Sequence, residues 1–188
     1  MKRLNLVLLF AVILVQSGCA SSPGYIVHTN DAAALESTAR ASYQTLLDGN
    51  EGAKKLSEEA VGALIFPRIL KAGLTFGGQF GEGVLLEGDE VAGYFNSVSA
   101  SFGLQAGVQT FGYVLLITND EALEHVKHAR GWELGLGPSL VIADQGFGKS
   151  LTTTTIRSDI YAFVFDQKGL MAGSGLQGTK VSPIVRER

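Results

Sequence analysis

Three histidines and a single cysteine have the widest chemical repertoire in this 188-residue chain. His125 and His128 stand three apart, with Glu121 and Glu124 one turn before them, so on a helix they become neighbours. A metal site there needs a ligand from another segment. None is evident, and the cluster reads as a solvated face with Glu–His pairs. One cysteine, Cys19, excludes an intramolecular disulfide and any Cys-cluster site, so no metal and no other cofactor is expected. Gly78–Gly83 has the glycine density of a phosphate loop but runs into Val84-Leu85-Leu86, which is strand-like. A nucleotide loop needs a helix at that point, whose N-terminus meets the phosphates. Gly148-Lys149-Ser150 lacks the upstream glycine of a Walker-type loop, so nucleotide is not an expected ligand. No Gly-x-Ser-x-Gly elbow occurs, and Ser139, behind Pro138, has no partner pattern. The carboxylate pairs Glu58/Glu59 and Asp89/Glu90 sit in polar surroundings, without the desolvation a general acid needs. The sequence predicts a protein that is not an enzyme.

Charge narrows the partners. Lys and Arg number 15 against 18 Asp and Glu, for a net charge of −3, which excludes a general nucleic-acid binder. The basic residues are thinly spread. Two pairs, Lys54/Lys55 and Arg68/Lys71, flank the second expected helix and the first expected strand. They are the candidate contacts to anionic lipid, at about 1 kcal/mol for each cation near a charged surface.

The thiol has its own context. Lys2 and Arg3 precede an apolar run from Leu4 to Val15, too short to span a bilayer, which takes roughly 20 residues in a helix. A basic start, a short apolar stretch and then small residues form a secretory signal. Gln16-Ser17-Gly18-Cys19 resembles the lipobox of bacterial lipoproteins, with Gln16 where an apolar residue is usual. That resemblance implies a signal peptide over 1–18, an acylated Cys19, and a tether over 19–30 that includes Ser21-Ser22-Pro23-Gly24. Ala20 after the cysteine implies an outer-membrane anchor with the domain facing the periplasm.

Residues 31–188 show no break long enough to divide them, and read as a single domain. A helix capped by Asn30 or Asp31 is expected over Ala32–Leu47, with Leu35, Ala39, Tyr43 and Leu46/Leu47 on one face. A shorter helix follows over Glu51–Ala60. Strands are expected at Ala63–Phe66 (closed by Pro67), Gly73–Phe80, Gly83–Leu86, Val108–Ile117, Trp132–Ile142, Ser150–Ile156, Asp159–Phe165 and Gly169–Gly173. Ser97, Ser99 and Ser101 alternate with Val98, Ala100 and Phe102, which puts three hydroxyls on one sheet face. Thr118-Asn119-Asp120-Glu121 has the form of a capping box opening a helix over about 119–129. Glycines number 24, nearly twice the usual share of about 7%, and many fall inside strand-like runs. Such glycines mark bulges, bends and close backbone crossings. The expectation is an α+β fold: a curled, mainly antiparallel, glycine-rich, barrel-like sheet with helices packed on it.

Three segments in order resemble the SYLF domain. They are Ala63-Leu64-Ile65-Phe66-Pro67 with Lys71-Ala72-Gly73 and Gly78 to Leu85, then Ser101 to Gln109, then Lys168 to Gly173 with Gly175 to Thr179. The likeness runs from about Asp31 to Val185. It implies a lipid-binding, non-catalytic module. Eukaryotic members bind phosphoinositides, and some bind actin, through basic and amphipathic N-terminal segments. Here residues 19–50 hold one basic residue, Arg40, and a secreted bacterial protein meets neither partner. The implied ligand is therefore a phospholipid membrane. The alternative is an envelope protein-interaction or scaffold module whose membrane affinity comes from the acyl anchor alone. The repeated Gly-Leu-x-Ala-Gly, at Gly103–Gly107 and Gly169–Gly173, reads as a requirement of the fold.

Overall fold

The computed structural model describes residues 32–128, 131–133, 140–143 and 158–186. Cys19 with its signal and tether, Gly148-Lys149-Ser150 and the expected strand Ser150–Ile156 lie outside them, as does most of the segment between Trp132 and Ile142.

Two helices open the fold, α1 (Ala32–Gly49) and α2 (Glu51–Ser57). In α1 the expected stripe turns inward: Ala39 and Leu46 are buried, with Leu35 and Tyr43 packed beside them. Asn50 separates the helices and caps the second, its side-chain oxygen accepting the Ala53 N–H at 2.9 Å. There follow β1 (Gly62–Glu87), β2 (Glu90–Ile117), α3 (Asp120–His128), β3 (Trp132–Glu133), β4 (Leu140–Ala143) and β5 (Ile160–Ile184). The sheet runs β1-β2-β5, with β3 and β4 both on the far edge of β5. All pairs are antiparallel except β4 with β5. The α+β class and the curled, mainly antiparallel sheet are as expected. Among the described residues the sheet does not close into the expected barrel, and β1 is an edge.

The expected short strands are merged into three long ones. Pro67 and the glycines, breakers by local propensity, sit at bulges and bends of continuous ladders, with register shifts at Phe66/Ile69 and Leu74/Phe76. The ladders override propensity because pairing with β2 resumes on both sides of each bulge and satisfies the backbone groups that face it. Another correction concerns α3. Its cap is Asn119, which accepts the Ala122 N–H at 2.9 Å, and not Thr118. Thr118 still belongs to the end of the β2–β5 ladder: its N–H donates to the Asp159 carbonyl, and its hydroxyl donates to the Ser158 carbonyl at 2.9 Å.

The long strands fold over. Thr75, a β-branched residue at φ 65°, marks the corner of β1. A Cβ on Gly73 would lie 2.8 Å from the Gly77 Cα, one on Gly81 2.6 Å from the Arg68 carbonyl oxygen, and one on Gly83 2.5 Å from that of Ile65. Those pairs bracket Thr75, each centred within one residue of it, so the two arms of β1 meet backbone against backbone. The side chains of Ile69 and Phe66 also press against Gly81 and Gly83, which leaves no room for a Cβ at either. At the β2–β5 crossing, Gly107 (φ 146°) and Gly169 (φ 93°) combine a left-handed backbone with carbonyls in the way, those of Leu170 and Val108. The two Gly-Leu-x-Ala-Gly copies thus place glycine where the crossing demands it.

Two apolar clusters hold the arms. Ile65, Val84, Leu86, Tyr94, Val114, Leu116, Tyr161 and Phe163 pack under α1 and α2. Leu64, Phe66, Ile69, Leu85, Leu115, Ile117 and Ile160 form the second cluster with Ala122, Leu123 and Val126 of α3. Consecutive residues thus serve opposite faces, the period of two that a sheet buried on both sides requires.

Candidate functional site

Beyond those clusters the sheet's polarity inverts. Alternation carries the helix-covered face outward from Val114 to Thr110, Val108 and Ala106 along β2, and from Tyr94 to Val98, Ala100 and Phe102. Pairing adds β1 and β5, giving six rows: Leu70–Thr110–Lys168, Ala72–Val108–Leu170, Leu74–Ala106–Ala172, Phe76–Phe102–Leu176, Gly78–Ala100–Gly178 and Phe80–Val98–Lys180. Neither helix covers these rows. Leu170 is 88% exposed, Leu74 76%, Phe76 71% and Phe102 58%. The Phe76 and Phe102 rings lie 5.0 Å apart, tilted against each other on the surface.

The opposite face of the same residues is small and polar. Ser97, Ser99, Ser101 and Gln79 are buried. The alternation of three serines places the hydroxyls together, as expected, but they point inward while Val98, Ala100 and Phe102 point out. Space explains the inversion: where the arms press backbone to backbone, only glycine, serine and a few amides fit. Their polar atoms pair among themselves. Tyr113 Oη donates to Ser97 Oγ at 2.8 Å, and the hydroxyls of Ser99 and Thr179 meet at 2.7 Å. Gln177 Nε2 donates to Gln79 Oε1 and Thr179 Oγ1, and Gln177 Oε1 accepts from Lys71 Nζ at 2.6 Å. Burial pushes the Tyr113 phenol well above its ordinary range, with the Ser97 hydrogen bond opposing in part.

The four basic residues singled out from sequence do not form one patch. Lys54 and Lys55 are exposed on α2, where Lys55 pairs with Glu51 at 2.8 Å. Arg68 is exposed at the β1 bulge. Lys71 lies on the inner face, opposite the helices, tied to Gln177. The cations that border the uncovered apolar face are Lys168 and Lys180, at its two ends. Only the pairing of β5 with β2 shows that these two lysines bracket anything. Of the α3 histidines, His128 shows the Glu–His pairing expected of a solvated face, its Nδ1 lying 3.1 Å from the Glu124 carboxylate. Among the described residues, no group of three His, Cys, Asp or Glu is placed to hold a metal ion, and no helix is long and apolar enough to cross a membrane.

Residues 98–186 match the family model Ysc84, described as "Las17-binding protein actin regulator". This supports a SYLF domain over that segment. The match takes in the central motif Ser101–Gln109 and the closing motif Lys168–Thr179, and begins after the opening one. No curated protein matches the chain.

Proposed function

We propose that this protein is a non-enzymatic lipoprotein, acylated at Cys19 and held in the outer membrane, whose periplasmic SYLF domain binds phospholipid. The observation that carries the reading is the uncovered apolar face between Leu70 and Phe80, which continues the surface that α1 and α2 cover lower down. A contiguous apolar patch of this kind on a folded domain marks a surface that meets a membrane or a partner. The resemblance to the SYLF domain, a lipid-binding module, favours the membrane, and the family match over 98–186 supports that resemblance.

The test is co-sedimentation of residues 20–188 with neutral and anionic phospholipid vesicles at low and moderate salt. Every described element lies within 32–186, so this removes no part of the described fold. Binding to vesicles is the expected result. Loss of binding with salt would trace affinity to the lysines, and binding that survives salt would trace it to apolar contact. Failure to bind any vesicle would overturn the reading in favour of a protein-interaction module that owes its membrane affinity to the anchor.

A further inference from the structure

The inference rests on the phospholipid reading above and concerns how the domain meets the bilayer. We propose that the outer face of the corner seats flat in the headgroup–acyl boundary of the same leaflet that takes the N-terminal segment, with Lys168 and Lys180 selecting anionic headgroups.

Three observations converge on that occupant. The first is charge. Along β1, β2 and β5 the six outward rows contain no carboxylate, and their ionised groups are Lys168 and Lys180, in a chain of net charge −3. The nearest carboxylates are engaged: Asp166 with Lys168 itself at 2.9 Å, and Glu82 with Arg186. Glu133 is the register partner of Lys180. Asp166 comes two residues before Lys168, and Glu133 of β3 continues the last row, Phe80–Val98–Lys180, so both carboxylates belong to the two ends of the apolar surface.

The second is where the rest of the chain enters. The described chain starts at Ala32, whose side chain lines one hollow with Val91 and Tyr94. Tyr94 lies on the outer face itself, four residues along β2 from Val98. Ala32, the first described residue, therefore lies on the side of the sheet that carries the uncovered rows, close to the β1–β2 turn. Residues 20–31 extend to about 40 Å at most, so an anchor at Cys19 keeps this face within reach of its own leaflet.

The third is the sheet's open edge. Among the described residues no strand pairs with the outer edge of β1, whose backbone groups on that edge need water or headgroups. Such a sheet cannot cross the hydrocarbon core, where every backbone group must be paired internally. It can lie in the interface, apolar face down, as amphipathic helices do. The inner polar face and its hydrogen-bonded network then stay on the water side.

The experiment uses the full chain carrying Cys19→Ser, which leaves no other thiol. One cysteine is returned at a time, Phe76→Cys or Leu170→Cys on the corner and Glu58→Cys or Glu121→Cys elsewhere, and labelled with a polarity-sensitive dye. Vesicles are phosphatidylcholine alone or with phosphatidylglycerol, with brominated acyl chains as quenchers. The dyes at 76 and 170 should shift to the blue and be quenched, while those at 58 and 121 stay in water. Lys168→Gln and Lys180→Gln should each lower the preference for anionic vesicles, roughly fivefold per lysine. These four labelled positions and both lysines are exposed, so the variants fold, and circular dichroism checks that they do.

Quenching at 58 with silence at 76 and 170 would overturn the inference and leave the phospholipid reading intact, with contact passing to α2. Silence at all four sites on sedimented protein would overturn both, the N-terminal segment alone holding the vesicle. A vesicle-free, concentration-dependent shift at 76 would assign the face to a second copy of the chain. Vesicle clustering would mean that the face docks on an opposing bilayer. Either result would also overturn the inference.

Discussion

The base of the sheet and its corner are built from the same three strands, yet they solve opposite problems. At the base, large apolar residues point both ways and both faces are covered, one by α1 and α2 and the other by the second cluster with α3. At the corner the inner face has no room, so glycine, serine and amides occupy it and large apolar side chains face out. The base is where stability resides. The corner carries a surface that does not stabilise the fold, and large side chains kept on such a surface point to a use outside it. The contrast teaches that an apolar residue in a strand is not evidence of a core until the thickness available on each face is known.

Substitutions sharpen that contrast. The largest effect is expected from Gly107→Val, which sets a side chain against the Leu170 carbonyl at a φ that β-branched residues avoid. Failure to fold, or a loss above about 4 kcal/mol, should appear in urea unfolding. Phe163→Ala at the base should cost about 3–5 kcal/mol, because its fully buried ring leaves a cavity. Phe76→Ala at the corner removes an equally large ring and should cost less than about 0.5 kcal/mol, while weakening vesicle binding. Equal losses from these two Phe→Ala changes would break the comparison.

Between those limits lies the inner polar network. Ser97→Ala leaves the buried Tyr113 hydroxyl without its acceptor and should cost about 1–3 kcal/mol. The same phenol makes stability depend on pH. Its folded pKa stands above the ordinary value of 10, so below about pH 10 both states are protonated and the contribution is complete. Above that pH the unfolded phenol ionises first, and stability should fall by about 1.4 kcal/mol per pH unit until the folded group also titrates. Tyr113→Phe should flatten that slope in denaturation series from pH 9 to 11. The smallest effect is expected at Lys55→Gln: its exposed pair with Glu51 is worth less than about 0.5 kcal/mol and should weaken further with salt.

Much of this was legible in the residues. The stripe of α1, the helix carrying His125 and His128, and the serine alternation all follow from local periodicity, which neighbouring side chains impose directly. The cap of α3 was misplaced by one residue because both Thr118 and Asn119 are able caps. The ladder claims the backbone of Thr118, and sequence carries no sign of that claim. The merged strands were hidden for a similar reason. Pro67 and the interior glycines signal a break locally, and only pairing with β2 and β5 turns each into a bulge.

The sequence by itself determined which residues share a face and how much glycine the chain contains, because faces depend on neighbours a few positions apart and composition on no neighbour at all. Tertiary structure alone decided which face is inside. Folding β1 back at Thr75 leaves no space on one side of the corner, and that exclusion turns three serines inward, sends Leu74, Phe76 and Phe102 outward, and brings Lys168 and Lys180, twelve residues apart along β5, to the two ends of one apolar surface.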